Sequence, residues 1–179
     1  MTKQELELCI NEHGKAIYSF CRQLACNQQE AEDLYQDTFL LAVELSEKID
    51  YEKNPKSYLL SVALRIWKNR KRKFAWRKKI ADMHSMVEEK DVENSESAEK
   101  PIDEQIIDRE KKEAVRQAVN MLPERLKVTV LLFYMEELST AEISAIMKIP
   151  KGTVLSRLHQ ARKLLRKELE NVLDGERIE

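Results

Sequence analysis

The stretch LSTAEISAIMKIPKGTVLSRLHQARKLLRKEL, residues 138–169, reads as two amphipathic helices joined by a tight turn. Ser139 and Glu142 stand at capping-box spacing and open a short first helix. Ala141, Ile143, Ala145, Ile146 and Met147 are expected to supply its small and apolar contacts. Ile149-Pro150 ends it, and Lys151-Gly152-Thr153 opens the next. Val154, Leu158, Ala161 and Leu165 then recur at i, i+4, i+7 and i+11 as one buried stripe. Ser156, Arg157, His159, Gln160 and Lys163 occupy the opposite face. A second helix held in this way can enter a major groove, reading base edges with its polar face while its ends meet phosphates.

Charge along the 179-residue chain supports a polyanionic partner. The formal net charge is only −1, but the charges are sorted into blocks. Residues 1–50 carry four basic and ten acidic residues, and residues 81–114 carry five basic and twelve acidic. Residues 56–80 hold ten cations and no acid, and residues 148–167 hold seven cations and no acid. Two acid-free blocks suggest two contacts with a polyanion, and the acidic blocks that alternate with them suggest faces for a basic partner.

The remaining sequence is also helical in pattern. Leu6, Cys9, Ile10, Ala16, Ile17, Phe20, Cys21 and Leu24 follow a helical period over residues 3–25, with Gly14 marking a bend or break. Asn27 and Glu30 open a second helix at about 28–48, with Ala31, Leu34, Tyr35, Thr38, Ala42 and Leu45 on one face and Glu32, Asp33, Gln36 and Asp37 largely off it. Asn54-Pro55 is a turn signal. From about Lys56 a third helix runs into the first basic block, with Leu59, Val62, Ala63, Ile66 and Trp67 at helical spacing. Periodicity lapses over residues 82–104, an acidic, serine-containing stretch closed by Pro101. Ile106, Val115, Ala118, Val119 and Leu122 fit a further helix. Pro123 suits the first turn of another reaching about Met135, although VTVLLFY is strand-like in composition. The expected fold is all-α: a domain over 1–81, a flexible acidic linker over 82–104, and a helix-turn-helix domain over 105–179.

Several function classes drop out. Three scattered glycines cannot form a phosphate-cradling loop. His13, His84 and His159 are dispersed, with no nucleophile, paired acid or metal spacing beside them, so neither an enzyme nor a metal or cofactor site is expected. Cys9, Cys21 and Cys26 contain no C-x-x-C pair and read as buried free thiols. The first residues lack a signal-peptide core, and the longest apolar run, Val130 to Met135, is far short of a membrane span. A cytoplasmic protein with no direct membrane insertion is expected.

Three motifs together resemble the bacterial RNA polymerase sigma factors of the small extracytoplasmic-function (ECF) group, part of the sigma-70 family. EAEDLYQDTFL at 30–40 resembles the family's polymerase-binding helix. YLLSVA at 58–63 and the Arg/Lys run after it resemble the helix that meets the minus-ten promoter element. LPER at 122–125, followed by residues 149–162, resembles the helix-turn-helix reading the minus-thirty-five element.

The resemblance implies a promoter-specificity subunit whose partners are core RNA polymerase (β′ clamp helices and β flap), promoter DNA and an anti-sigma factor. Glu32, Asp33, Gln36 and Asp37 would meet the basic β′ coiled coil, where opposite charge steers association. Tyr51, Asn54, Lys56, Ser57, Arg65 and Asn69 would take the minus-ten element, a platform-and-hydrogen-bond task. Arg70, Lys71, Arg72 and Lys73 would contact phosphates. Trp67 and Trp76 are able to stack on bases, although core packing is the better reading for Trp67. In the second domain, Ser156, His159 and Gln160 would face the major groove. Lys151, Thr153 and Arg157 would hold phosphates, with Arg162 and Lys163 following the backbone. Arg65, Leu155 and Gln160 depart from the family's usual Asn, Lys/Arg and Arg, and a Gln favours adenine where Arg favours guanine. The alternative, a helix-turn-helix regulator binding duplex DNA without polymerase, accounts for the second basic block but not for the first or for the acidic helix beside it.

Overall fold

The computed structural model describes residues 3–44, 54–84 and 104–175. Tyr51, Leu45 and most of the acidic linker lie outside the described residues. The chain divides into two compact units, Met1–Ser95 and Glu96–Glu179, and the described elements are helical throughout.

The first unit packs three helices mutually: α1 (Lys3–Leu24), α2 (Gln28–Glu44) and α3 (Pro55–His84). Cys9, Ile17, Phe20 and Cys21 from α1 meet Leu34, Thr38 and Phe39 from α2 and Leu59, Leu60, Ala63, Leu64 and Trp67 from α3. Burying such side chains stabilises by roughly 1.5–3 kcal/mol each before entropy is counted. Thr38 is tolerated in this core because its hydroxyl donates to the Leu34 carbonyl at 2.7 Å.

Gly14 does not bend or break α1, which runs through it. A Cβ at Gly14 would lie 3.0 Å from the Tyr35 hydroxyl oxygen, so the glycine permits close approach of α2 rather than a change of direction. Tyr35 is itself held between Tyr18 and Phe39, with ring centroids at 5.6 and 4.9 Å.

The second unit wraps α4 (Glu104–Met121), α5 (Glu124–Val130) and α6 (Thr140–Met147) around the long α7 (Lys151–Gly175). Leu122, Leu126, Val130 and Ala161 form one cluster, edged by Val119 and Leu165. Pro123 is the N-cap of α5 rather than a first-turn residue, and its carbonyl accepts from Leu126 and Lys127. The strand-like VTVLLFY is helical because Val128, Val130, Leu131 and Leu132 fall on the buried side of the unit at helical spacing. Past Val130 it widens into a π-helical turn, Leu131–Met135, with the Glu136 amide donating to the Leu131 carbonyl at 3.1 Å.

Two further expectations are corrected. Ala141 and Ala145 are exposed, and Ile143 and Met147 provide the buried contacts of α6. Cys9 and Cys21 are buried as expected, but Cys26 is exposed because it falls in the turn after α1.

Candidate nucleic-acid interface

The N-terminal unit brings an acidic surface and a basic one to neighbouring helices. Asn27 caps α2, its side-chain oxygen accepting from the Glu30 amide at 2.8 Å, and Glu30 reaches back to accept from the Cys26 amide at 2.9 Å. The helix then presents Asp33, Gln36 and Asp37 exposed and Glu32 half-buried. Glu32 accepts from the Gln28 amide group at 2.8 Å, and Asp33 from that of Gln29 at 3.1 Å. Sequence reasoning missed the apolar ground beside them. Ile10, Phe39, Leu40 and Val43 line a shallow groove together with Tyr35 and Gln36, and Leu40 is 63% exposed. The available signal was that Leu40 and Val43, three apart, fall outside the buried stripe of α2.

At the start of α3, Asn54 takes φ 104° and its side-chain oxygen accepts from the Ser57 amide at 3.0 Å. It acts as a helix cap, followed by Pro55, whose ring suits a first turn. Lys56 and Ser57 are half-buried, whereas Arg65, Asn69, Arg72 and Lys73 are exposed. Arg65, Asn69 and Arg72 recur at i, i+4 and i+7 and therefore share a face of α3. Trp67 belongs to the core, and Lys71 lies over its ring at 4.8 Å. Trp76 is 66% exposed, on a stretch of α3 where every side chain from 71 to 80 is exposed.

Arg70 is half-buried and donates to the Asp37 carboxylate at 2.5 Å. A residue expected to meet polymerase and one expected to meet DNA thus hold each other.

In the C-terminal unit, the capping box forms in full: Ser139 accepts from the Glu142 amide, and the Glu142 carboxylate accepts from the Ser139 amide. Lys148, at φ 55°, ends α6 in the left-handed region, and the Ser144 hydroxyl donates to the Ile149 carbonyl at 2.6 Å. The Pro150 carbonyl accepts from Thr153 and Val154, starting α7. Val154, Leu158 and Ala161 are buried, so the opposite face is turned outward. Ser156, His159, Gln160 and Lys163 are exposed on it at i, i+3, i+4 and i+7, with Lys151 exposed at the helix start and Thr153 and Arg157 half-buried. Arg162 is exposed but engaged: its Nε donates to the Tyr134 hydroxyl at 2.7 Å, and its guanidinium lies 5.9 Å from the Phe133 and Tyr134 ring centroids.

Among the described residues, no group of His, Cys, Asp and Glu side chains is arranged to hold a metal, and no helix is long and apolar enough to cross a membrane.

Residues 9–77 match the family model for sigma-70 region 2, and residues 112–165 that for sigma-70 region 4. The chain is 28% identical over 162 residues to the ECF RNA polymerase sigma factor SigW of Bacillus subtilis (strain 168), covering 87% of this chain and 84% of that protein. With the RNA polymerase sigma factor SigV of the same organism it shares 29% over 168 residues, covering 94% and 93%. The fold is similar to that of the sigma factor RpoE solved in complex with the anti-sigma factor NepR from Bartonella quintana. The TM-score is 0.69 at 24% identity, over 94% of this chain and 96% of that one.

Proposed function

This chain belongs to the sigma-70 family as a member of its ECF group, and from that premise we propose that it binds core RNA polymerase and directs it to promoters to begin transcription. The observation that carries the reading is the pairing of two acid-free basic stretches, one overlapping each matched region, with an acidic helix face beside the first.

In this reading the polymerase supplies the chemistry and this protein supplies address and orientation. The α2 face would dock on the basic β′ clamp helices, with Asp33 and Asp37 as charge partners and the Ile10–Leu40–Val43 groove adding apolar contact. Charge sets the encounter rate and register, and the groove supplies the water-excluding part of the interface. The exposed face of α3 would hold the minus-ten strand, with Arg72 and Lys73 binding phosphates without reading sequence. The outward face of α7 would lie in the major groove of the minus-thirty-five element, with Gln160 positioned to pair with adenine. The acidic linker would run through the polymerase, and an anti-sigma factor, of the kind bound to RpoE in its solved complex, would restrain the protein until released. The cytoplasm is the compartment where these partners meet. A regulator acting without polymerase would leave the acidic α2 face without a role.

The test is run-off transcription by core polymerase with the purified protein on its own upstream region, with co-elution read from the same mixture. A start-specific transcript absent with core alone supports the proposal. Failure to co-elute with core polymerase sinks it.

A further inference from the structure

We propose that Tyr134 is a positioning residue for promoter recognition, holding the Arg162 guanidinium in the orientation in which it meets a DNA phosphate. The inference rests on the promoter-binding reading of α7 and adds to it a residue outside the helix-turn-helix.

Arg162 lies at the edge of the outward face of α7, about 100° around the helix from Lys163. A free arginine there would sample many rotamers and lose that freedom on binding. This one does not start free. Its Nε–H is given to the Tyr134 hydroxyl at 2.7 Å, and the ring centroids of Phe133 and Tyr134 lie 5.9 Å from its central carbon. A guanidinium is planar, with donors in a rigid fork. Holding Nε therefore restricts the plane, and the bond leaves the terminal N–H groups of this exposed residue available to a second acceptor. Such a fork suits a phosphate, which accepts two parallel hydrogen bonds.

Tyr134 reaches this position through the π-helical turn. Within Leu131–Met135, Leu131 and Leu132 stay buried while Tyr134 is 53% exposed. The ring therefore contributes little to the core, and its hydroxyl accepts from Arg162. Single π turns re-aim side chains in this way and recur at functional sites.

The experiment uses holoenzyme reconstituted from core polymerase and the full chain, with binding to a labelled promoter fragment as readout. Tyr134→Phe keeps the ring and removes only the hydrogen-bond acceptor. Binding is expected to weaken about two- to tenfold, the range of one net hydrogen bond, at a temperature where the variant is shown by its melting curve to be fully folded. In an Arg162→Ala background the same substitution is expected to change nothing further, because the group it positions is gone. Undiminished binding by Tyr134→Phe overturns the proposal while leaving the sigma reading intact. An equal loss in the Arg162→Ala background also overturns it, since Tyr134 would then act by another route. Parent holoenzyme that fails to bind the promoter overturns both.

Discussion

Replacing Asp37 by Asn should make the isolated protein bind single-stranded minus-ten DNA more tightly and core polymerase less tightly. In the free protein Asp37 accepts from Arg70, so a phosphate must compete with that carboxylate for the guanidinium and is repelled by its charge. The magnitude follows from exposure. The Arg70 and Asp37 side chains are 31% and 49% exposed, which places the pair near the surface limit rather than in a low-dielectric interior. Ion pairs of that kind contribute about 0.5–1 kcal/mol net. Since 1.4 kcal/mol is a factor of ten, removing the charge should raise DNA affinity about two- to fivefold. The gain should shrink as ionic strength rises, because a half-exposed pair is screened.

Fluorescence anisotropy with a labelled minus-ten strand reads the first effect, and titration with core polymerase reads the second. Arg70→Ala is the control background, in which Asp37→Asn should no longer raise DNA affinity. A rise that persists without Arg70 would refute the exchange, as would no rise in the parent background. If the exchange holds, docking of a basic polymerase helix on Asp37 would release Arg70 at the moment DNA is needed. Partner binding and DNA binding are then coupled by the same pair, and by linkage the coupling is reciprocal.

Other outcomes follow from the same geometry. Gly14→Ala gains about 1 kcal/mol of helix propensity but brings its Cβ to 3.0 Å from the Tyr35 hydroxyl. The substitution should therefore stabilise in a Tyr35→Phe background and be neutral or harmful alone, as read by thermal melting. Burial, with Glu12 adding to it, raises the Cys9 thiol above its ordinary 9.0, and burial raises Tyr35 above 10.0. Both groups fold in their neutral forms with raised pKa, so their contribution to stability is present below the ordinary thiol range and is lost as pH climbs through the raised values. Cys9→Ala should flatten the thiol part of that alkaline limb in pH-dependent denaturation. Thiol modification at neutral pH should occur first at the exposed Cys26, as mass spectrometry of partly labelled protein would show.

Much of this was legible in the sequence because helices announce themselves locally. The Val154–Leu158–Ala161 stripe and the Ser139–Glu142 and Asn27–Glu30 caps all rest on spacings of a few residues, and the structure realises each. Contacts across the chain were not legible. Asp37 and Arg70 are 33 residues apart, and Tyr134 and Arg162 are 28 apart, so no local period couples them. Gly14 was misread for the same reason: a glycine in a helix suggests weakness until the neighbouring Tyr35 is in view. Sequence alone groups Cys26 with its two companions on the packed face of α1, whereas it falls one turn later, where the chain reverses.

The π-helical turn at Leu131–Met135 has a bearing on how this domain tolerates change in length. Such a turn holds one more residue than an ordinary helical turn, and here it forms the last turn before the chain leaves the helix at Glu136. Deleting a single residue there should let the segment settle to normal pitch while α5 and α6 keep their seats on α7. What would change is the direction in which the side chain at the crest projects. Chain length should therefore be able to vary by one at this turn, and the arginine's hydroxyl partner sits on it.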